Sequence, residues 1–267
     1  MNAVTLQPIA DQIGLVTLNR PERLNAIDGS FLDGMDVVLD ALSNPAEWRA
    51  AIITGAGRAF CSGADRSGTG AAWTKPSKRA YKTMWDAQCR LTDQLTRLYE
   101  LPIPTIAAVN GAAVGGGLAI ALHCDIRIAQ HDARFASAFL TAGYSSMDMG
   151  TSYLLPKIVG VGAARELMLT GRIIDSDAAF SLGLVSRVVS PEQLLAQAQS
   201  LAEEIATNNP YGVWQTKVGL NAALDAPSLR HAKDLENRIQ VMSALTENPR
   251  EAGRAFIERR TPSWESL

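Results

Sequence analysis

Two glycine-containing segments, each preceded by a short apolar strand, are the parts of the sequence best suited to chemistry. Residues 55–65 follow a strand at 51–54, and residues 110–117 follow a strand at 105–109 and precede an apolar helix. Small residues let backbone N–H groups approach a ligand closely, and a helix N-terminus adds a positive partial charge. Two such N–H groups that converge on one oxygen would form an oxyanion hole. The alternative is that the glycines only permit tight packing of helix against strand.

Other phosphate, hydrolase and metal motifs receive little support. Gly55-Ala56-Gly57 follows a strand, as in a dinucleotide-binding fingerprint, but Phe60 occupies the position of the third glycine. The P-loop, GxSxG, HExxH and EF-hand patterns do not occur in the sequence. The three cysteines, Cys61, Cys89 and Cys124, lack CxxC or histidine spacing, which argues against a disulfide framework and a metal site.

The composition is that of an ordinary globular protein. The chain has 267 residues and 28.6 kDa, is 47% hydrophobic and 19% charged, and carries a formal net charge of −2. It has no run of five basic residues, so we expect neither nucleic acid nor a membrane as partner. The uncharged stretch 101–123 contains prolines and glycines, which favour strand, turn and buried helix over a membrane span. No signal-peptide pattern begins the sequence, and we expect a cytoplasmic protein.

The hydrophobic pattern predicts strands and helices in alternation along most of the chain. Residues 4–6 and 13–18 are rich in β-formers and predict a hairpin, and apolar residues recur at helical spacing over 31–42. After about residue 206 only three helical segments are predicted. We therefore expect an α/β core at 1–205 and a helical region at 206–267.

Three ordered segments carry recognisable signatures. They are NRPERLNA at 19–26, AFCSGAD at 59–65 and VNGAAVGGG at 109–117. Together with their spacing, and with further matches at 124–129, 169–172, 179–189 and 249–260, they resemble the enoyl-CoA hydratase/isomerase (crotonase) superfamily over essentially the whole chain.

This resemblance implies a fold, a substrate and a site. The implied fold is a spiral of ββα units with C-terminal helices that build a homotrimer, or a hexamer of two trimers. The implied substrate is an acyl-CoA thioester, and no separate cofactor is expected because CoA is part of the substrate. The N–H groups of Ala64 and Gly116 would hold the thioester oxygen while an enolate develops. The residues expected to bind substrate are Arg23, Leu24, Ser62, Ala64, Asp65, Arg66, Gly116, Phe139 and Ser145. Solvated surface charge is the alternative interpretation of the arginines.

Two positions depart from the hydratases of this family. The resemblance places the two catalytic glutamates of those enzymes at Ala119 and Phe139, and neither side chain can transfer a proton. A general acid or base contributes typically about 10²–10⁴-fold, so a hydratase without both would be very slow. We therefore expect isomerisation or carbon–carbon bond chemistry in preference to simple hydration.

Asp148 is the carboxylate that remains in the expected region. Its position resembles that of a catalytic aspartate in the dienoyl-CoA isomerases of the family, although the acidic partner found there falls at Phe139 or Leu140 here. Asp148 could move a proton between two carbons, deprotonate a ketone-bearing thioester or activate a water, and apolar neighbours would raise its pKa. The alternative is a helix cap, because Asp is a favoured N-cap and a helix is predicted over 150–158.

Three further side chains near these segments are more simply interpreted as structural than as catalytic. Ser145 shares the Asp148 loop and could donate a hydrogen bond to substrate, but serines in loops more often bond their own backbone. His123 follows the glycines in an apolar helix, which is typical of a core residue. Cys61 has no histidine near it in the sequence to activate it and is interpreted as small apolar filling.

Aromatic residues lie where, by the resemblance, the acyl pocket is shaped. They are Trp73, Tyr81 and Trp85, with Met84 beside them. Two tryptophans there favour a bulky or cyclic acyl group, although a helix core stripe would show the same pattern.

We interpret the sequence as that of an acyl-CoA-processing enzyme, nominally an enoyl-CoA hydratase/isomerase, with Ala64, Gly116 and Asp148 as its catalytic groups. Two alternatives stay open at this point. One is a genuine hydratase that uses other groups, and the other is a non-catalytic acyl-CoA-binding subunit.

Overall fold

The computed structural model describes residues 2–65 and 78–267, which form two β-sheets surrounded by helices. The strands are β1 (Val4–Ala10), β2 (Ile13–Leu18), β3 (Ala50–Gly55), β4 (Ala59–Cys61), β5 (Thr105–Val109), β6 (Ala112–Val114), β7 (Ile126–Gln130), β8 (Arg134–Ala136), β9 (Ile174–Asp175) and β10 (Arg187–Val189). The α-helices are α1 (Gly29–Leu42), α2 (Lys78–Glu100), α3 (Gly116–His123), α4 (Thr151–Val159), α5 (Val161–Thr170), α6 (Ser176–Ser181), α7 (Leu194–Ala206), α8 (Pro210–Ala223), α9 (Leu229–Ala244) and α10 (Asn248–Glu258).

The larger sheet has the strand order β1-β2-β3-β5-β7-β10. The predicted hairpin is confirmed, since β1 pairs antiparallel with β2, and the remaining strands of this sheet run parallel to their neighbours. The register of the hairpin shifts between Pro8 and Ala10, on β1, which has a partner strand on one side only among the described residues, and proline is tolerated in such an edge strand.

The smaller sheet has the order β4-β6-β8-β9 and arises from a repeated unit. In β3–β4–α2, β5–β6–α3 and β7–β8–α4, the first strand joins the larger sheet, the second joins the smaller sheet, and a helix follows. The sequence prediction missed β4 and β6, which lie inside the two glycine-containing segments. Strands of three residues are too short to display an alternating pattern, so the segments appeared to be turns.

The core lies on both faces of the larger sheet. All six residues of β3 are buried, as expected for a parallel strand covered on both sides. Ile53 packs in the cluster that contains Phe60 and Leu98, whereas Ile52 belongs to the cluster that contains Ala198 of α7. Successive side chains of a strand point to opposite faces. Helix α7 therefore covers the outer face, and the inner face meets the smaller sheet and the remaining core helices.

Helices α8, α9 and α10 follow residue 206, and the described chain has no strand after that point. Helix α8 is tied to the core through the buried Lys217, whose Nζ lies 2.8 Å from Asp125 Oδ2 and donates to the Ile103 carbonyl at 2.9 Å. The division at 205/206 into two domains stays a prediction. Across residues 2–65 and 78–267, no helix combines the length and the apolar character needed to cross a bilayer.

Candidate active site

Two loop segments from distant parts of the sequence lie side by side and form one wall of the candidate site. The Ser62 N–H donates to the Leu24 carbonyl at 3.0 Å, and the Ile27 N–H donates to the Gly63 carbonyl at 2.8 Å. The Asp65 N–H donates back to the Ile27 carbonyl at 2.8 Å. The last two bonds form a short parallel bridge between Ile27 and Ala64, so the segments 24–27 and 62–65 lie side by side.

Largely buried polar side chains hold the two segments of this wall in place. The Arg20 guanidinium lies 2.8 Å from Asp28 Oδ2 and 3.0 Å from Asp65 Oδ2, and the side chains of Arg20 and Asp65 are 14% and 9% exposed. Asn25 is fully buried, donates to the Ala59 carbonyl at 2.8 Å and accepts the Arg20 N–H at the same distance. The signature segment 19–26 therefore holds the wall in place through a network of satisfied polar groups.

The two glycine-containing segments meet backbone to backbone. A Cβ added at Gly63, where φ is +88°, would lie 2.9 Å from the Val114 carbonyl and 3.3 Å from the Gly116 nitrogen. A Cβ at Gly117 would lie only 1.9 Å from the Cys61 carbonyl. These contacts confirm that glycine is needed here for close packing, and they place the backbone beside Ala64 against the start of α3.

The N–H groups of Ala64 and Gly116 have no backbone acceptor within the described parts of the chain. In the parallel bridge the Gly63 carbonyl and the Asp65 N–H face Ile27, so the Ala64 N–H points to the other side. Gly116 is the first residue of α3, where a helix leaves its N–H groups without intrahelical partners and carries a positive partial charge. The junction thus offers an anionic or strongly polarised oxygen two N–H donors that no backbone carbonyl of the described residues occupies.

The Asp148 loop packs against this junction. Its next residue, Met149, places Sδ 3.3 Å from a Cβ added at Gly116. The ring of Phe139 lies 3.9 Å from a Cβ added at Gly115. Both Met149 and Phe139 are buried, so the junction has an apolar boundary on this side. Such a boundary limits access of water to a charge that develops at the N–H groups.

Asp148 itself is half-buried and hydrogen-bonded. Gln88 Nε2, on α2, donates to Asp148 Oδ1 at 2.5 Å. Burial raises the pKa of Asp148 above its ordinary value, while the Gln88 amide and the Met149 N–H act in the opposite direction. The predicted rise in the pKa is therefore confirmed in direction.

The helix-cap interpretation of Asp148 is wrong. Helix α4 begins at Thr151, its N-cap residue is Gly150 with a φ of +68°, and no side chain caps it. Met149 also has a positive φ, which turns the chain away before the helix starts. The Asp148 carboxylate therefore does not cap α4, and it accepts a hydrogen bond from Gln88.

The two positions of the missing glutamates are apolar and buried. Ala119 is fully buried in α3 and Phe139 is 7% exposed. His123 is a core residue, as predicted: its Nδ1 lies 2.7 Å from the Ala119 carbonyl, and burial lowers its pKa. Burial raises the pKa of Cys61 to about 12, so its sulfur is an unreactive thiol at neutral pH.

Other predicted substrate-binding residues have varied surroundings. Ser145 is exposed, and its Oγ accepts the Met147 N–H at 3.1 Å, which is the backbone role that loop serines usually take. Arg23 is exposed, and Asp65 is engaged by Arg20. Their roles in binding substrate stay predictions. The predictions for Arg66 and Trp73 lie outside the described residues.

Helix α2 brings a group to the site that the sequence did not reveal. Gln88 is 60 residues from Asp148, and no local pattern links the two. Trp85 and Tyr81 lie one and two turns before Gln88 on α2, with rings stacked at 6.3 Å and side chains exposed by 58% and 68%. Residues at i, i+4 and i+7 share a helix face, so this aromatic pair lies on the flank that reaches Asp148. Within residues 2–65 and 78–267, no group of three or more His, Cys, Asp or Glu is placed to hold a metal ion.

Comparison with known proteins gives consistent matches. The sequence model of a family described as enoyl-CoA hydratase/isomerase matches residues 9–267. A Mycobacterium leprae protein named as a probable enoyl-CoA hydratase, echA12, is 38% identical over 255 residues, which cover 93% of this chain and 85% of that protein. The (E)-benzylidenesuccinyl-CoA hydratase of Thauera aromatica is 34% identical over 262 residues, 98% of each chain. The crystal structure of an enoyl-CoA hydratase from Bacillus anthracis superposes with a TM-score of 0.92 at 29% identity, covering 99% of this chain and 100% of that one. The expected fold class is thereby confirmed.

Proposed function

Because the chain belongs to the enoyl-CoA hydratase/isomerase family, we propose that it binds an acyl-CoA thioester and stabilises its enolate with the N–H groups of Ala64 and Gly116. The observation that carries this proposal is the junction at which both N–H groups lack a backbone acceptor in the described chain. Hydrogen-bond donors fixed before the reaction stabilise a developing oxyanion without reorganisation, and one donor contributes roughly 2.7–4 kcal/mol. Leu24 and Ser62, on the same wall, are proposed to line the path of the CoA moiety.

Asp148 is proposed as the proton carrier. Its carboxylate takes a proton from the carbon next to the thioester, and the electron pair of the broken C–H bond moves into the carbonyl, which becomes an enolate oxygen at the two N–H groups. The carboxylic acid then returns the proton to another carbon as the carbonyl re-forms, which shifts a double bond. The raised pKa of Asp148 supports this role, because it lies closer to the pH at which the group must both accept and release a proton.

Hydration is the second candidate, and the names of the relatives favour it. Both the M. leprae and the T. aromatica relatives are named as hydratases. Against it stand Ala119 and Phe139 at the positions expected for the two glutamates. If hydration does occur, Asp148 is the carboxylate best placed to activate a water.

An aromatic or cyclic acyl group is the substrate class we favour. The exposed, stacked pair of Tyr81 and Trp85 on α2 supports it, since flat rings pack well on aromatic faces. The name of the T. aromatica relative refers to a benzylidenesuccinyl group, which is aromatic. We also propose that the chain assembles as a homotrimer, or as a hexamer of two trimers, and acts in the cytoplasm.

Incubation in heavy water tests the proposed function. Straight-chain and cyclic enoyl-CoA and 3-oxoacyl-CoA esters would be offered to the native protein and to Asp148→Asn, with the exposed Asp132→Asn as a matched control. We expect deuterium at the carbon next to the thioester, and at the carbon that receives the proton when a double bond shifts, with the native protein and with the exposed-site control Asp132→Asn. Asp148→Asn should lose at least about 10²-fold of this exchange. Water addition that survives Asp148→Asn would establish a hydratase using other groups. Tight binding without exchange or product would establish a binding subunit.

A further inference from the structure

We propose that Gln88 is a positioning residue that holds Oδ1 of Asp148 and so directs proton exchange to the other carboxylate oxygen, Oδ2. This inference rests on the proposed function, in which Asp148 carries the proton. It adds a residue from α2 to a site otherwise built from loops that follow strands.

The geometry that supports it is an isolated, directional contact. Gln88 Nε2 lies 2.5 Å from Asp148 Oδ1, and the only other group that donates to this carboxylate among the described residues is the N–H of Met149. Asp148 lies in a loop that supplies one backbone donor to its carboxylate, the Met149 N–H. A long helix such as α2 is a rigid support, so an amide on it adds a second contact that fixes the orientation of the carboxylate.

An amide is suited to this task because it does not itself exchange the proton. The Gln88 N–H donates to Oδ1 both when Asp148 is a carboxylate and when Oδ2 carries a proton, so the contact survives the whole reaction. It is stronger with the carboxylate, so it lowers the pKa of Asp148, against the effect of burial, and favours the form that accepts a proton.

Other titratable groups near the loop do not take over this role. His123 reaches the loop from α3, where its ring lies 2.9 Å from a Cβ added at Gly150. Burial lowers the pKa of His123, so its ring is neutral near pH 7 and brings no charge to Asp148. No charged side chain of the described residues acts on the pKa of Asp148.

The test compares Gln88→Met, which keeps the side-chain length and removes the donor, with Gln199→Met. Gln199 Nε2 donates to Glu203 Oε1 at 2.8 Å on α7, so the control removes a similar pair away from the site. The titration of the Asp148 carboxyl carbon would be followed by ¹³C NMR, and deuterium exchange into the acyl-CoA would give kcat and KM. In Gln88→Met we expect the pKa of Asp148 to rise, the acidic limb of the kcat/KM profile to move to higher pH, and kcat to fall about 10- to 100-fold with KM changed less than about threefold. Gln199→Met should match the native protein.

An unchanged Asp148 titration in Gln88→Met would overturn the proposal, and so would a shifted titration with unchanged kcat. The proposal would also be overturned if kcat fell in both Gln88→Met and Gln199→Met while the titration of Asp148 stayed unchanged. If the native protein shows no exchange, the proposed function fails, while the NMR titration still decides whether Gln88 holds Asp148. Should Gln88→Met not fold, Gln88→Asn withdraws the amide by one methylene and gives the same readouts.

Discussion

Replacing Gly116 by proline removes its N–H without ending α3, because Gly116 is the first residue of that helix and proline is tolerated there. A Cβ at this position would meet Ile27 Cδ1 at 2.7 Å, so both alanine and proline require the end of that side chain to move. Gly116→Ala therefore carries the steric cost and keeps the donor, whereas Gly116→Pro loses the donor as well. We expect exchange into the thioester to fall about 10²–10³-fold in Gly116→Pro relative to Gly116→Ala.

Circular dichroism first shows that the two variants have equal folded content. Their rates of deuterium exchange in heavy water are then compared. Equal rates in both variants would remove Gly116 from the proposed oxyanion hole. Residue types and a resemblance directed attention to the glycine segments, to Asp148 and to the absent glutamates, whose roles in catalysis stay predictions. Gln88 was not identified from the sequence, because a hydrogen bond between residues 60 positions apart produces no local pattern in either segment.

At the scale of elements, the wall formed by 24–27 and 62–65 depends on Arg20. Its guanidinium is largely buried between Asp28 and Asp65. Removing one partner of a buried ion pair leaves uncompensated charge and costs about 3–5 kcal/mol, and somewhat less where water reaches one partner, as it does at Asp28. We expect Arg20→Met to lower the free energy of unfolding by about 2–3 kcal/mol, measured by urea denaturation, and to raise KM for the CoA ester.

Arg90→Met is the matched control for Arg20→Met. Arg90 also pairs with two aspartates, Asp33 and Asp36, but its side chain is 44% exposed. Pairs at the surface contribute about 0–1 kcal/mol because water and salt screen them. A loss of stability in Arg90→Met as large as in Arg20→Met would contradict a special role for the Arg20 network.

The elements differ in how far the sequence could predict them. The β1–β2 hairpin and α1 were predictable, because six or more residues are enough to display an alternating or helical pattern. The strands of the smaller sheet are two or three residues long, and their pairing comes from tertiary contacts. The start of α4 was misplaced because two successive residues of positive φ, Met149 and Gly150, separate Asp148 from the helix.

For the whole molecule, the repeated ββα unit explains why the site lies where it does. Ala64 follows β4 by three residues, Gly116 follows β6 by two, and Phe139 follows β8 by three. These strands are neighbours and run parallel, so their carboxyl ends meet at one edge of the smaller sheet. Three successive turns of the spiral therefore deliver the two N–H groups and the apolar boundary to one place. Ligands of open parallel sheets bind at such carboxyl edges for the same reason.

The helices after residue 206 expose large apolar side chains that favour assembly with other copies of the chain. Leu245, Phe256 and Ile257 on or beside α9 and α10 are 76%, 86% and 81% exposed in the single chain. Large apolar side chains that are this exposed in one region of the chain favour a surface that another chain covers. We expect the protein to sediment at micromolar concentration at about three times 28.6 kDa, or at twice that value if trimers pair. Phe256→Lys should shift it towards the monomer, whereas Val37→Lys, at an exposed position of α1 in the ββα core, should not. A stable native monomer, or an equal effect of both variants, would contradict assembly through the C-terminal helices.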